Sequence, residues 1–310
     1  MRSRFLLIHN PLAGRRGNRL KKGVVEGLKS HGAQITSIEE SDMATVVARI
    51  SKIGPMAQFD AVIVSGGDGT VRAVVSSLWQ QQIPLGLIPS GTGNVLAHEI
   101  GQPFCKNRLV EVLLHGPEIA FQASQINGKP FLLMAGIGFD AEVIARLNLA
   151  TKQRLGKLAY AWPIFRTLLD KPEEFDCEID GTKHKATWLI ATRSSHYAGS
   201  FIIAKSANLK KPGMTAVVFT ASTRLGRMQE LFAIASSKIT QQKSIKMVAC
   251  HNISVFSTKP RAIQADGDES GITPAKISTG HSTVHLIVPP IEKQNCFKLG
   301  RTEPKYVIKQ

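Results

Sequence analysis

Residues 61–70 read Ala-Val-Ile-Val-Ser-Gly-Gly-Asp-Gly-Thr, an apolar run that passes directly into a glycine-rich loop. The run Asp60–Val64 is typical of a buried strand, and the pattern after the loop predicts a helix over Thr70–Trp79. A strand that enters a helix through such a loop is a unit of α/β sheets, which hold ligands at the carboxyl ends of their strands. This stretch therefore indicates an α/β fold with a candidate site at the loop.

The same alternation extends over the first hundred residues. Further strands are predicted at Phe5–Ile8, Ala33–Ile38 and Pro84–Ile88, and further helices at Arg15–Ser30, at Met43–Ile53 and from Asn94 onward. Alternation at this spacing favours a parallel sheet covered by helices on both faces. We therefore predict a Rossmann-like α/β domain over residues 1–119, to which the tail over residues 290–310 could return.

The pattern changes after about residue 116. Asn127-Gly128 and Asp180-Gly181 are turn pairs typical of β-hairpins, and the second pair separates the predicted strands Phe175–Ile179 and Lys185–Thr192. More short strand patterns follow, interrupted by helical segments near Ala141–Leu149, Leu155–Leu169 and Leu225–Ser237. We predict a second, mainly antiparallel and β-sandwich-like domain over residues 120–289.

Two glycine loops follow neighbouring strands of the first domain, Gly66–Thr70 and Pro89–Asn94. Glycines let a backbone approach a ligand closely, and amides at a helix N-terminus favour phosphate. Asp68 would repel phosphate unless Mg²⁺ lies between them. The first loop alone is equally consistent with a tight turn, whereas two such loops at adjacent strand ends could face one polyphosphate. Neither loop is a Walker A motif.

Two later motifs are weaker. Gly136–Ala141 fits a dinucleotide-binding spacing, but no acid follows at the distance that a ribose contact needs, so we expect no nicotinamide site. Asp266, Asp268 and Glu269 place three carboxylates around one glycine, which suits general-base or metal chemistry. An ordinary acidic β-turn explains the same residues.

The charge balance limits the classes of binding partner. The chain has 39 Lys and Arg against 23 Asp and Glu, a formal net charge of +16, which favours nucleic acid, a phosphate-rich ligand or an anionic membrane. With 6% aromatic residues and no basic recognition helix, we expect no nucleic-acid partner. The segment Leu155–Arg166 mixes cations with aromatic residues, which suits either an anionic membrane surface or core packing.

The four cysteines are far apart in the sequence, which argues against a disulfide framework and favours a reducing compartment. No segment offers the roughly 20 apolar residues of a spanning helix, and the N-terminus resembles a strand more than a signal peptide. We expect a cytoplasmic protein that contacts the membrane peripherally, and we allow for a homodimer.

Taken in order, five motifs resemble the diacylglycerol kinase catalytic family, in its bacterial lipid-kinase and sphingosine-kinase-like branch. They are Asn10–Gly14, Gly66–Thr70, Pro89–Asn94, Gly136–Ala141 and Asp266–Asp268. The resemblance spans nearly the whole chain and implies a nucleotide-binding domain of the NAD kinase and diacylglycerol kinase type, followed by a lipid-substrate domain. It implies ATP and Mg²⁺ as cofactors and a lipid alcohol as the acceptor of the γ-phosphoryl group.

Site residues follow from this resemblance. Asp68 is expected to contact Mg²⁺ through water, Asp266 or Asp268 to accept the proton of the acceptor hydroxyl, and Asp140 to recognise the lipid head. The nucleotide is expected to contact Asn10, Pro11, Gly14, Gly66, Gly67, Asp68, Gly69, Thr70, Gly91, Thr92 and Asn94.

The chain departs from the family pattern at two places. Val95 stands where many members have an acid, which puts an extended network around Mg²⁺ in doubt. Residues 205–213 lack the acids that hold a structural Mg²⁺ in some members, so we predict no structural metal there. Alternatives are an NAD kinase-like or sugar-kinase-like phosphotransferase and a nucleotide-binding regulator without turnover, although Asp68, Asp266 and Asp268 are all present.

Overall fold

The computed structural model describes residues 1–53 and 55–290. The helices are α1 (Gly14–Ser30), α2 (Met43–Lys52), α3 (Asp68–Leu78), α4 (Val95–Glu99), α5 (Lys106–His115), α6 (Phe139–Ala145), α7 (Leu149–Leu155), α8 (Ala161–Leu169) and α9 (Arg224–Ala235). The strands of the first half are β1 (Arg4–His9), β2 (Gln34–Glu39), β3 (Ala61–Gly66), β4 (Leu85–Pro89), β5 (Glu118–Ile126), β6 (Lys129–Phe131) and β7 (Met134–Gly138). The remaining strands are β8 (Phe175–Ile179), β9 (Thr182–Ala186), β10 (Trp188–Thr192), β11 (His196–Tyr197), β12 (Phe201–Ile202), β13 (Met214–Phe219), β14 (Ile245–Cys250), β15 (Asn252–Phe256), β16 (Ala262–Ala265), β17 (Asp268–Ile272) and β18 (Ala275–Ile287).

The first half forms the predicted parallel sheet, in the order β2-β1-β3-β4. Successive residues of β1 point to opposite faces, as the two-residue period of a strand requires. Phe5 and Leu7 pack in one core with α1 and α5, and Leu6 and Ile8 pack in another with α2 and α3. The sheet is therefore buried on both faces, and the glycine loops lie at its carboxyl edge.

A two-stranded ribbon connects this sheet to the second half. β5 and β18 pair along most of their length, and Leu286 of β18 also pairs with Leu85 of β4. The start of β18 pairs with β15, which continues the sheet through β8 to β9. The boundary predicted at residue 119 is thus crossed by strand pairing, and the chain already returns to the first sheet through β18. The predicted tail over residues 290–310 lies outside the described residues beyond Pro290.

The second half contains the predicted antiparallel sandwich. A second sheet has the order β14-β13-β10-β7-β16-β17, with antiparallel neighbours throughout. One of its faces packs against β5, β8, β15 and β18 in a core that includes Ile137, Leu189, Ile253 and Ile277. This sandwich fixes β7 and β16, whose ends carry the later motifs.

The predicted second hairpin is wrong in one respect. β8 pairs with β9, but the run Lys185–Thr192 does not form one strand. The chain leaves the first sheet after Ala186 and enters the second at Trp188, and the hydroxyl of Thr187 between them donates to the carbonyl of Ala221 at 3.0 Å. The change from the largely exposed β9 to the fully buried β10 takes place within two residues, and no Gly, Pro, Asn or Asp marks it in the sequence.

The helical segment predicted over Leu155–Leu169 is also interrupted. α7 ends at Leu155, residues Gly156–Tyr160 form a 3₁₀ turn, and α8 starts at Ala161. Gly156 has φ +57°, a left-handed conformation that suits glycine. Within the described ranges, none of the helices combines the length and apolar character that crossing a bilayer requires.

Candidate active site

The two glycine loops touch each other through their backbones. The amide of Ser90 donates to the carbonyl of Gly66 at 3.1 Å. A Cβ atom on Gly67 would lie 3.1 Å from the Cα atom of Gly91, and one on Gly91 would collide with Gly67. Glycine is therefore needed at this approach for lack of space, since neither residue has a positive φ.

Asn94 and Asp68 hold the second loop in place. Asn94 adopts the left-handed conformation (φ 51°); its Oδ1 accepts from the amide of Gly91, and its Nδ2 donates to the carbonyl of Gly91, each at 2.8 Å. The carboxylate of Asp68 accepts from the amides of Val95 and Leu96, each at 3.0 Å. Asp68 thus caps α4 from the first loop, and each loop fixes the position of the other.

The N-terminal motif joins the same edge. The amide of Asn10 donates to the carbonyl of Ser65 at 3.0 Å, and its Nδ2 donates to the hydroxyl of Thr70 at 3.4 Å. Pro11 begins a 3₁₀ turn that leads to Gly14, the first residue of α1. Thr92 is half-buried in the second loop. The structure therefore brings together the three segments expected to contact nucleotide.

The acidic turn of the second half reaches this edge with one of its carboxylates. The side chain of Asp268 is 41% exposed, and its Oδ2 lies 3.1 Å from Nη2 of Arg72 on α3. A Cβ atom on Gly69 would collide with the same carboxylate. Asp268 therefore faces the first glycine loop across the two halves of the molecule.

Asp266 is placed differently. Its carboxylate accepts from the amides of Leu132, Leu133 and Met134 at 2.8, 2.9 and 3.1 Å, and only 8% of the residue is exposed. Burial raises the pKa of Asp266 to about 6, and the three amides oppose that rise. Asp266 anchors the turn to the start of β7, whereas Asp268 is the carboxylate open to a ligand.

Asp140 lies inside the second half. Its carboxylate accepts from the amide of Ala141, from Nε1 of Trp188 and from Nε2 of Gln264, at 2.8 to 2.9 Å, and the residue is 6% exposed. All three donors are protein groups. Each carboxylate oxygen thus already accepts from a protein donor. The expected contact with a lipid head stays a prediction.

The pKa of Asp140 gives a stability prediction. Burial raises it to about 7, against the hydrogen bonds from Gln264 and Trp188. Since the folded state keeps this proton longer than the unfolded state does, the contribution of Asp140 to stability is lost as pH rises from about 4 to about 7. Asp140→Asn lacks this titration, so the unfolding midpoint of the wild type, relative to that of the variant, should fall over this range. A constant difference from pH 4 to pH 8 contradicts the prediction.

Two residues that connect the halves of the molecule near the loops belong to none of the sequence motifs. Arg72 pairs with Asp268, and its sequence signal is a lone cation in an otherwise uncharged stretch of α3. Glu99, at the end of α4, accepts through Oε2 from Ser194, Ser195 and His196 of the second half. Burial raises the pKa of Glu99, but these hydrogen bonds outweigh it and leave the value below the usual range. Glu99 is the only acid between Asp68 and Glu111, which was its one visible signal.

The loop predicted to lack a structural metal contains a buried guanidinium. Arg193, 2% exposed, donates through Nη1 to the carbonyl of Gly213 and through Nη2 to the carbonyls of Leu209 and Lys211, at 2.9 to 3.0 Å. These carbonyls belong to the stretch 205–213 that has no acid. Arg193 thus supplies a positive charge that binds the loop carbonyls together.

Arg193→Met should lower the free energy of unfolding by about 2 kcal/mol or more, because hydrogen bonds to a charged group are lost and buried carbonyls stay unpaired. Urea unfolding measures this, with the exposed Arg224→Met as a control. Addition of a chelator should leave the wild-type midpoint unchanged. An unaltered midpoint in Arg193→Met, or a large loss on chelation, would refute this role.

The residues at the loops suit a nucleoside triphosphate. The close approach of Gly67 and Gly91 is made by backbone without side chains, and backbone amides at a helix N-terminus are groups that phosphates bind. Asp68 and Asp268 lie near one another: burial raises the pKa of Asp68, the amides of Leu96 and Val95 lower it, and the charge of Asp268 adds to the rise.

The carboxylates near the loops suit an Mg²⁺ ion that binds together with the phosphates of the nucleotide. Nucleotide-bound Mg²⁺ usually takes one or two carboxylates, with phosphates and water as its other ligands. Over the part of the chain that the structure describes, no group of three or more His, Cys, Asp or Glu side chains forms a metal site. Asp68 is the carboxylate expected to contact that cation through water, and this contact stays a prediction.

Comparisons with known proteins agree with this architecture. The profile of the diacylglycerol kinase catalytic domain matches residues 4–126, and that of the YegS C-terminal NAD kinase beta sandwich-like domain matches residues 134–288. A diacylglycerol kinase of Bacillus subtilis (strain 168) is 26% identical over 304 residues, which cover 92% of this chain and 96% of the relative. A diacylglycerol kinase of Mycobacterium tuberculosis (strain ATCC 25618 / H37Rv) is 29% identical over 311 residues, covering 90% and 93%.

A solved structure is also similar. The crystal structure of a diacylglycerol kinase from Bacillus anthracis str. Sterne superposes with a TM-score of 0.67 at 15% identity, over 93% of this chain and 97% of the other. At this identity the likeness concerns the fold alone, and it covers both halves of the molecule.

Proposed function

Because this chain belongs to the diacylglycerol kinase catalytic family and is a lipid kinase, we propose that it transfers the γ-phosphoryl group of ATP to a lipid hydroxyl with Mg²⁺. The observation that carries the proposal is the position of Asp268, which faces Gly69 of the first loop and pairs with Arg72. An acid from the second half thereby meets the phosphate-binding edge of the first.

The proposed division of labour follows from the contacts. The backbone of the two glycine loops holds the phosphates, and Asp68 and Asn94 keep the loops in register. Bound Mg²⁺ would neutralise charge on the transferring group. Asp268 orients the acceptor hydroxyl and accepts its proton, because its partly exposed carboxylate faces the first glycine loop. Asp266 supports the turn from behind.

An acceptor panel tests the function. Purified protein with ATP and Mg²⁺ is offered diacylglycerol, phosphatidylglycerol, sphingosine or NAD, and phosphorylated products are separated and counted. We expect transfer to at least one lipid and none to NAD. Transfer to NAD alone would favour the NAD kinase-like alternative, and nucleotide binding without any transfer would favour the regulator.

A membrane surface is the proposed source of the acceptor. Large apolar side chains are exposed along α7 to α9, namely Leu155, Leu158, Trp162, Phe165, Leu169, Leu225, Met228 and Phe232. Between Val143 and Leu169 the sequence has five Lys and Arg and no acid. An apolar face within basic surroundings suits the interface of an anionic bilayer, and α8 and α9, which carry several of these side chains, contact each other.

Vesicle co-sedimentation measures this contact. Trp162→Ser combined with Phe165→Ser should weaken binding to vesicles containing phosphatidylglycerol about 30-fold, since burying half of each side chain is worth roughly 1 kcal/mol. Binding should also fall with added salt. Phe256→Ser, which changes an equally exposed residue on β15, should bind as the wild type does. Binding that is indifferent to lipid charge and salt would remove this surface from the proposal.

The cellular setting remains part of the proposal. Cys105, Cys177 and Cys250 are free, which is compatible with a reducing, cytoplasmic compartment where ATP is available. The homodimer stays a prediction.

A further inference from the structure

Gln264 lies between two motifs that are far apart in the sequence. It belongs to β16 and is 3% exposed. Its Nε2 donates to Oδ2 of Asp140 at 2.8 Å, and its Oε1 accepts from the amide of Gly267 at 2.9 Å. The amide of Gly267 can only donate and the carboxylate of Asp140 accepts, so the side-chain amide of Gln264 has one orientation and is held at both ends.

Asp140 is itself held by the second sheet. Its Oδ1 accepts from Nε1 of Trp188 on β10 and from the amide of Ala141. Trp188 is fully buried and stacks on Phe219 with ring centroids 3.9 Å apart. Asp140 therefore gives Gln264 a partner that cannot move without disturbing the core.

The other end of the connection is the acidic turn. Ala265 and Asp268 pair across two residues with positive φ, Asp266 (50°) and Gly267 (84°), as in a two-residue hairpin turn. The carboxylate of Asp266 fixes one side of this turn to Leu132, Leu133 and Met134. The amide of Gly267, one residue before Asp268, is fixed by Gln264.

We propose that Gln264 is a positioning residue, which sets the orientation of Asp268 toward the first glycine loop by tying Gly267 to Asp140. The inference rests on the proposed function only for the role of Asp268. It assigns to Asp140 a structural task, that of orienting Gln264. Misplacement of a reacting group by about 1 Å can cost a factor of 100 in rate, so a small rotation of this turn is enough to matter.

Gln264→Met keeps the size of the side chain and removes both hydrogen bonds. We expect kcat for lipid phosphorylation to fall about tenfold or more, with the KM for ATP changed by less than about threefold, because the glycine loops are untouched. Gln125→Met is the matched control: it removes a glutamine that donates to Ser278 on the β5–β18 ribbon.

Exchanging the amide and the carboxylate of the Gln264–Asp140 hydrogen bond distinguishes a positioning role from a general loss of structure. Gln264→Glu alone sets two carboxylates against each other and should lose activity. In the double variant Asp140→Asn with Gln264→Glu, the amide introduced at position 140 can donate to the new carboxylate, which still accepts from Gly267. The double variant should recover most of the kcat that Gln264→Glu loses.

Amide exchange supplies a readout that needs no activity. Exchange over residues 260–272 should be faster in Gln264→Met than in the wild type and Gln125→Met. Unchanged kcat and unchanged exchange in Gln264→Met would overturn the inference, as would a double variant no better than Gln264→Glu. If the wild type phosphorylates no acceptor, the proposed function fails, and the exchange measurement still decides whether Gln264 holds the turn.

Discussion

Asp268→Asn should lower kcat for lipid phosphorylation about 100-fold or more, the size expected for loss of a proton-accepting group, while the Kd for ATP changes little. The reason is geometric. Asp268 faces Gly69 and Arg72, whereas the backbone that we propose to hold the phosphates belongs to other segments. Steady-state kinetics and calorimetric titration of ATP measure the two quantities separately.

Its two neighbours are the controls. Glu269→Gln changes an exposed acid one residue away and should keep kcat within about twofold of the wild type. Asp266→Asn should lower the free energy of unfolding by about 1–3 kcal/mol, because three amides lose a charged acceptor. If Asp266→Asn abolishes turnover with normal stability while Asp268→Asn stays active, the two roles are reversed.

Gly91→Ala is expected to reduce both ATP affinity and kcat/KM, together by about 100-fold. The added methyl group collides with Gly67, and Asn94 holds Gly91 at both its amide and its carbonyl, so the loop cannot retreat. Overpacking of this kind costs roughly 1–3 kcal/mol, which corresponds to between about fivefold and more than 100-fold in an equilibrium constant. Titration with ATP and initial rates measure the loss.

Gly23→Ala provides the comparison for that variant. Its Cβ atom would meet the flexible side chain of Lys106 at 3.2 Å, far from the loops, and the change should leave ATP binding intact. Normal ATP affinity in Gly91→Ala would show that the contact between the two loops is not needed for the nucleotide site.

Much of the architecture could be predicted because it is written in local patterns. The apolar strands that end in glycine loops predicted an α/β half, and the Asn127-Gly128 turn predicted the change to antiparallel strands; the α/β fold followed by a β-sandwich is confirmed. The second hairpin was misjudged at Thr187, since no Gly, Pro, Asn or Asp marks the point where the chain changes sheets. Membership of the diacylglycerol kinase family follows from motif order and is also confirmed.

The division of labour within the site could not be predicted in this way. Asp266 and Asp268 are equivalent as sequence, and only contacts with residues more than 130 positions away distinguish them. Gln264 and Arg193 carry no motif, and their roles depend on partners brought near by the sandwich. Long-range pairing of this kind has no local signature, so these residues became visible only in the folded chain.

A single-turnover experiment with labelled ATP is the most direct test of phosphoryl transfer to lipid and of the role of Asp268 in it. Protein holding γ-labelled ATP is mixed with Mg²⁺ and vesicles that contain the acceptor lipid, and label is followed in lipid, in ATP and in inorganic phosphate. We expect label to move into lipid with the wild type and to stay in bound ATP with Asp268→Asn. Label that appears only as inorganic phosphate, or enters lipid equally fast with Asp268→Asn, would contradict it.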